Sequence, residues 1–161
     1  MAWIVTWLAE QGHREAALLV ITMAECYFRP AEVHRLRVRD VVGATPSAGP
    51  EHQFAALVLH PLEEGNASKT NEFDESLLLD LPRQKDIGPA LLRLGRRRAT
   101  PEALLFNVTQ REVKKLLATA VRELALQPLG EGHPYRLRHS GAAHDLAAKE
   151  RTLVEIQDRG R

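Results

Sequence analysis

The segment from 133 to 146, which reads HPYRLRHSGAAHDL, constrains the fold of this chain most. Gly130, Gly132 and Pro134 predict a loop that leads into it. The apolar residues that follow at partly helical spacing are Leu137, Ala142, Ala143, Leu146 and Ala147. Arginines and histidines therefore lie near the start of a short helix with a small, tightly packed face. Free backbone N–H groups and the positive dipole make such a helix start favourable for a phosphate group.

The length and composition predict one globular domain over residues 1–161. Its 161 residues are 44% apolar, which is enough for a sizeable core. The net charge is only +1, so any affinity for nucleic acid must come from a local patch. The single cysteine, Cys26, excludes an internal disulfide, fits a reducing intracellular setting and has apolar neighbours that predict burial. The apolar first residues are too short for a membrane span and lack the basic start of a signal peptide.

The apolar pattern predicts a mainly α-helical chain with a small antiparallel β-sheet, an α+β fold. The predicted helices are 13–26, 31–36, 87–98, a helix from an N-cap at Thr109 to about 126, and a last helix after Thr152. Two β-leaning runs, 54–60 and 76–80, flank a polar connection and predict an antiparallel hairpin. The stripe predicted to be core is Val113, Leu116, Leu117, Ala120, Val121 and Leu124.

Residues 135–142, which read YRLRHSGA, resemble the second sequence box of the tyrosine recombinases, the phage-integrase family. That box typically has His, Tyr or Lys, then any residue, then Leu-Arg-His and a small residue. Aligning the Leu-Arg-His run puts Arg138 at a catalytic arginine and Tyr135 at the position usually held by His. The alternative register places His133 and Arg136 in a His-x-x-Arg spacing. The first register is preferred because it matches without a gap.

Residues 28–41, which read FRPAEVHRLRVRDV, resemble the first box of the same family. That box has an apolar residue, Arg, two residues, Glu, then Leu-Arg and an exit similar to Asp-Val. The match implies that Arg29 is the first catalytic arginine and that Glu32 is the acidic residue that supports the site. From the pattern alone, Arg29 is a helix-end arginine that could interact with the preceding carbonyls.

The family's catalytic lysine lies on a hairpin such as the one predicted here and is usually followed by Thr. Lys69 is followed by Thr and is the candidate, and Lys85 is the weaker competitor. Residues 153–161, which read LVEIQDRGR, are similar to the segment that precedes the family's last box. This match makes Arg161, together with Arg136, a candidate for DNA binding.

In the family, a His or Trp and then the tyrosine nucleophile would follow this segment. The two tyrosines of the chain are Tyr27 and Tyr135, which fall in or beside other boxes. The resemblance therefore implies an integrase-like catalytic domain cut short before its last box, with the nucleophile absent. We expect that such a chain cannot form a covalent DNA adduct.

The resemblance implies DNA recombination or integration. Arg29 and Arg138 would hold the scissile phosphate, and Lys69 would protonate the leaving 5′ oxygen. Tyr135, or His133 in the other register, would assist them. The implied partner is double-stranded DNA, with a homo-oligomer on that DNA allowed, and the implied setting is intracellular and DNA-associated, in a nucleus or nucleoid. The chemistry requires no metal or cofactor.

Two other functions stay open beside recombination. Since the nucleophile is missing, the chain could be a non-catalytic DNA-binding module or a degenerate mobile-element remnant. Its near-neutral charge also allows a helical interaction domain without a DNA role. Metal binding is disfavoured, because His139 and His144 are five residues apart and do not share a helical face. His139 is given a supporting, structural role by the resemblance.

Overall fold

The computed structural model describes residues 1–59 and 75–160, so Lys69 and Arg161 lie outside the described residues. Within these ranges the helices are α1 (Ala2–Glu10), α2 (Arg14–Glu25), α3 (Pro30–Arg35), α4 (Ile87–Gly95), α5 (Gln110–Glu123), α6 (Pro134–Ala147) and α7 (Leu153–Gly160). The strands are β1 (Val41–Val42), β2 (Ala56–Leu59) and β3 (Glu75–Leu78). A mainly α-helical chain with a small antiparallel sheet is therefore confirmed.

The three strands form one antiparallel sheet in the order β1-β2-β3. Leu57 is paired with Val41 of β1 and with Leu77 of β3. The side chains of the sheet that face the core are Val41, Leu57, Leu59 and Leu77. Leu78 is 39% exposed, as the period of two along a strand requires. The prediction of an antiparallel hairpin is confirmed by β2 and β3. β1 was not predicted, because two residues are too few to show an alternation of apolar and polar side chains.

The apolar residues at the start of the chain form α1, a helix for which the sequence analysis made no prediction. Leu8 is fully buried there, and α1 packs against α2 and α5. Cys26 is also fully buried, which confirms the prediction for this thiol. No helix within the described residues is long and apolar enough to cross a membrane.

The caps and the apolar stripe of α5 agree with prediction. The backbone N–H of Glu112 donates to the Thr109 hydroxyl at 3.2 Å, and the Thr109 N–H donates to the Glu112 carboxylate at 2.7 Å. These bonds form the predicted capping box. Thr152 and Glu155 form the same pair at α7. The fully or nearly buried residues of the α5 stripe are Val113, Leu117, Ala120 and Val121.

The turn after α2 has a backbone conformation that is rare for a bulky residue. Tyr27 has φ +53°, in the left-handed region where glycine is usual. The Phe28 N–H donates to the Met23 carbonyl at 3.0 Å and the Tyr27 N–H to the Ala24 carbonyl at 3.4 Å. This is a Schellman motif with tyrosine in the glycine position, and it fixes the direction in which the chain leaves α2 toward Arg29.

The buried face of α6 differs from the predicted one. The buried residues of this helix are Pro134, Leu137 and Asp145, whereas Leu146 is 50% exposed. The small residue at the contact with α2 is Gly141, where an added Cβ would overlap the carbonyl oxygen of Ala24. The prediction of a small, tightly packed face with Leu137 buried is therefore confirmed. The rest of the predicted stripe is wrong, because Ala143, Leu146 and Ala147 are exposed and α6 turns a glycine and a carboxylate inward instead.

Candidate functional site

Arg138 connects the two sequence boxes. Its Nη1 donates a hydrogen bond to the carbonyl oxygen of Tyr27 at 2.7 Å, across 111 residues of sequence. Its Nη2 donates to the carbonyl oxygen of Gly160 at the end of α7. The half-buried guanidinium therefore joins α6 to the turn between α2 and α3 and to α7. The second box, 135–142, therefore contacts the residue immediately before the first box, 28–41, and the last segment, 153–161.

Arg29 is the N-cap residue of α3 and is bound to Glu32. The Glu32 carboxylate accepts the Arg29 backbone N–H at 2.7 Å and its Nη1 at 2.9 Å. The Glu32 side chain is only 6% exposed, whereas that of Arg29 is 27% exposed. Glu32 thus fixes both the backbone and the guanidinium of Arg29 and leaves part of the cation facing solvent.

Three of the other candidates lie in the first turns of α6. His133 is the N-cap residue, and its Nδ1 accepts the backbone N–H of Tyr135 at 3.2 Å. The rings of Tyr135 and His139 meet edge to face with centroids 5.0 Å apart. Tyr135 is 43% exposed. The phenol and the His139 imidazole thus share an exposed surface, while His133 stabilises the start of the helix.

The remaining basic candidates differ in their placement. Arg136 is exposed, and its guanidinium lies over Gly130, where an added Cβ would overlap it. Gly130 also lines a groove of about 400 Å³, and the charged side chains that line it are Lys114 and Arg122 of α5 and Glu131. Lys85, the weaker lysine candidate, lines a separate cleft of about 750 Å³. Neither Arg29 nor Arg138 lines that cleft.

A buried ion network that the sequence analysis missed lies directly beside Arg138 and Tyr27. Its centre is Asp145, which is 0% exposed. Asp145 accepts hydrogen bonds from the Tyr27 hydroxyl and from Nη2 of Arg83. Nε of Arg151 lies 3.4 Å from the same carboxylate. We call these residues, with their further partners, the Asp145 network.

The Asp145 network reaches from α2 to α7. Arg83 also donates to Glu25 at 2.8 Å, and Arg151 pairs with Asp80. Nη2 of Arg159 donates to the Leu78 carbonyl at 2.8 Å, and its Cζ lies 5.8 Å from the centre of the Tyr27 ring. The partners beyond Asp145 and Tyr27 are thus Arg83, Arg151, Arg159, Glu25, Asp80 and Glu150. Because cations and carboxylates nearly balance, the network serves to hold elements together rather than to attract an anion.

The network shifts the titration of its members. Burial, together with the hydrogen bond to Asp145 and the negative charge of Asp145, raises the pKa of the Tyr27 hydroxyl well above its ordinary value. Burial alone would raise the pKa of Asp80, but the hydrogen bond and charge of Arg151 outweigh it and the pKa is lowered. Tyr27 is therefore neutral and Asp80 charged in the folded protein near neutral pH.

One sequence signal could have revealed part of this network. Asp145 follows Arg138 by seven residues, which places both on one face of a helix, and the same face holds Gly141. A carboxylate on the packed face of a helix requires a partner. The partner Arg83 is 62 residues away in sequence, so spacing alone could not identify it.

The raised pKa of Tyr27 predicts a loss of stability in alkaline solution. Above about pH 10 an unfolded tyrosine loses its proton while folded Tyr27 keeps it, so the unfolded state binds fewer protons and stability falls with rising pH. Urea unfolding of the parent and of Tyr27→Phe between about pH 8 and 11 measures this. The parent should lose more stability than the variant, and Tyr135→Phe, at an exposed position, should follow the parent. Parallel curves for the parent and Tyr27→Phe would contradict the prediction.

No protein-family model matches the chain, and no curated protein matches its sequence. In the part of the chain that the structure describes, no group of three or more His, Cys, Asp or Glu side chains could hold a metal ion.

Proposed function

We propose that this chain is a duplex-DNA-binding domain of the tyrosine recombinase type, with an integrase-like fold, in which Arg29 and Arg138 hold one backbone phosphate. The observation that carries the proposal is the 2.7 Å bond from Arg138 to the carbonyl of Tyr27, two residues before Arg29. Such a contact is what a clamp assembled from the two boxes requires. A setting with access to DNA, in a nucleus or nucleoid, belongs to the same proposal.

The chemistry of phosphodiester transfer suits these side chains. Charge accumulates on the non-bridging oxygens in the transition state, and the positive charge of two fixed guanidinium groups stabilises it. The carbonyls of Tyr27 and Gly160 accept from Nη1 and Nη2 of Arg138 and so hold this cation in place. Glu32 restrains Arg29, so this side chain loses little conformational freedom when a phosphate binds. Lys69 is the proposed acid for the leaving 5′ oxygen. Tyr135 is the proposed assisting hydrogen-bond donor, since its phenol is exposed beside the start of α6.

Strand cleavage needs a nucleophile that the two tyrosines of this chain do not supply in this scheme. Tyr27 is 1% exposed and its hydroxyl donates to Asp145, so it is out of reach of a phosphate. Tyr135 occupies the assisting position. We therefore propose that this chain by itself binds DNA without cutting it. Recombination would require a tyrosine from another chain or segment to complete the site. A non-catalytic DNA-binding module, the alternative function, would require none.

Exposed cations around α5 and α6 extend the proposed DNA surface. Arg136 lies at the start of α6, and Lys114 and Arg122 line the groove beside it. With a net charge of only +1, affinity for a polyanion depends on such local clustering. The competing function, a helical interaction domain without a DNA role, draws on exposed apolar side chains such as Trp3 and Val154, which are 74% and 64% exposed.

Salt-dependent binding of duplex DNA tests the proposal. Affinity of the parent for a fluorescent duplex should fall between about 50 and 200 mM salt with a slope of about −0.9 per phosphate contact. Arg29→Ala and Arg138→Ala should each weaken binding about 10- to 100-fold, as loss of a charge-assisted contact implies. Arg138→Lys should be weakened too, because lysine keeps the charge but not the planar pair of donors.

The matched control is Arg93→Ala, which removes one positive charge from an exposed position on α4. It should change affinity less than either clamp variant. An affinity of the parent that does not depend on salt would contradict both DNA functions. Equal losses for Arg93→Ala and Arg138→Ala would contradict the clamp and leave only non-specific attraction between DNA and charge.

A further inference from the structure

We infer that Tyr27 is a positioning residue that sets the geometry between Arg29 and Arg138. Its hydroxyl is bound to Asp145 and its carbonyl oxygen to Arg138, and Arg29 follows two residues later. The inference rests on the proposed function, because it concerns how the two arginines that would hold the phosphate are positioned. It assigns a role to a buried tyrosine that the proposed chemistry does not use.

Tyr27 is restrained on every side. Its backbone is held in the left-handed conformation by the Schellman bonds at the end of α2. Its ring is fully buried, with its Cδ1 only 3.1 Å from the position of a Cβ at Gly141, and the guanidinium of Arg159 lies over the ring. A left-handed conformation is unfavourable for a residue with a Cβ, so the contacts of this side chain must offset strain in the turn.

Two residues on one face of α6 bind the same tyrosine. Arg138 and Asp145 are seven positions apart, about two helical turns. Arg138 holds the carbonyl end of Tyr27, and Asp145 holds its hydroxyl end. Two attachment points prevent α6 from rotating or sliding relative to the turn. The guanidinium of Arg138 therefore keeps one position relative to the backbone that leads to Arg29.

Asp145 is a fixed acceptor for the hydroxyl. Arg83 binds its other oxygen, and Arg151 lies 3.4 Å from the oxygen that Tyr27 uses. The carboxylate can hardly turn without breaking these pairs. Phe28, the residue between Tyr27 and Arg29, is fully buried, so the two-residue link to Arg29 is fixed as well. Loss of the Tyr27 hydroxyl should thus loosen the clamp while the other attachments preserve the fold.

Tyr27→Phe tests the inference, because it keeps the ring and removes only the hydroxyl. We expect about fivefold weaker DNA binding and a salt slope that is smaller in magnitude by up to about 0.9, as if one phosphate contact were lost. The control is Thr109→Ala, which removes the cap of α5 and lowers stability to a similar degree. Its affinity and salt slope should equal those of the parent.

A double-mutant cycle shows whether Tyr27 acts through Arg138. In the Arg138→Ala background, Tyr27→Phe should have little further effect on affinity, since the group that it positions is gone. If the parent binds DNA and Arg138→Ala weakens binding, but Tyr27→Phe behaves like Thr109→Ala, the inference is overturned and the proposed function stands. Additive losses in the cycle would also overturn it. If the parent itself shows no salt-dependent binding, the proposed function fails and the inference fails with it.

Discussion

Asp145→Ala should destabilise the protein by about 3 kcal/mol or more, which is a large part of the stability of a domain of this size. The carboxylate is 0% exposed and binds Tyr27, Arg83 and Arg151. Its removal leaves the buried Tyr27 hydroxyl and Nη2 of Arg83 without their acceptor. The remaining carboxylates limit the loss because they still pair with the three arginines of the network; they are Glu25, Asp80 and Glu150. Urea unfolding at neutral pH measures the change.

Two further variants show that the loss comes from the network. Asp145→Asn keeps the shape and one acceptor oxygen, so it should cost less than Asp145→Ala. Asp158→Ala removes an exposed carboxylate from α7 and should change stability by about 0.5 kcal/mol or less. A similar small change for Asp145→Ala would mean that water replaces its partners, and the network would then not hold α6 in place.

The elements of the fold could be predicted where a periodic signal or a cap is local. The capping box at Thr109 and the apolar stripe of α5 need only neighbouring residues, and both are confirmed. The helix 13–26 corresponds to α2, Arg14–Glu25. β1 has only two residues, both valine, so its sequence contains no alternation of apolar and polar side chains that could reveal a strand.

The site could be predicted only as far as its motifs are contiguous. Arg29 and Glu32 are three residues apart, and their contact follows from the helix start between them. The Asp145 network joins α2, α6, α7 and the segment after β3, so its pairs are set by tertiary packing. Beyond Leu137, the predicted apolar face of α6 is wrong for the same reason. The packing partner of α6 presents a carbonyl oxygen and a tyrosine hydroxyl, and these select Gly141 and Asp145 rather than leucine.

Gly141→Ala should weaken both the fold and the proposed clamp. In a free helix alanine is more favourable than glycine by about 0.8–1.0 kcal/mol. Here the new Cβ would lie 2.8 Å from the carbonyl carbon of Ala24, closer still to its oxygen, and 3.1 Å from Cδ1 of Tyr27. Because the obstacle is backbone, α6 must move away from α2, and overpacking of this kind typically costs about 1–3 kcal/mol or more. Stability falls overall only if the steric cost exceeds the gain in helix propensity. We expect a net loss of stability, because the new Cβ would overlap a backbone oxygen.

Ser140→Ala is the matched control, since it places alanine at the neighbouring, exposed position of the same helix. It should be neutral or slightly stabilising, because alanine is the better helix former. Urea unfolding of both variants measures stability, and DNA affinity of the folded Gly141→Ala protein measures the clamp. The shift of α6 should separate Arg138 from the Tyr27 carbonyl, so affinity should fall even where the protein is fully folded. A Gly141→Ala protein as stable as Ser140→Ala would show that α2 and α6 are not in close contact, and the joining of the two boxes through Tyr27 would then lose its basis.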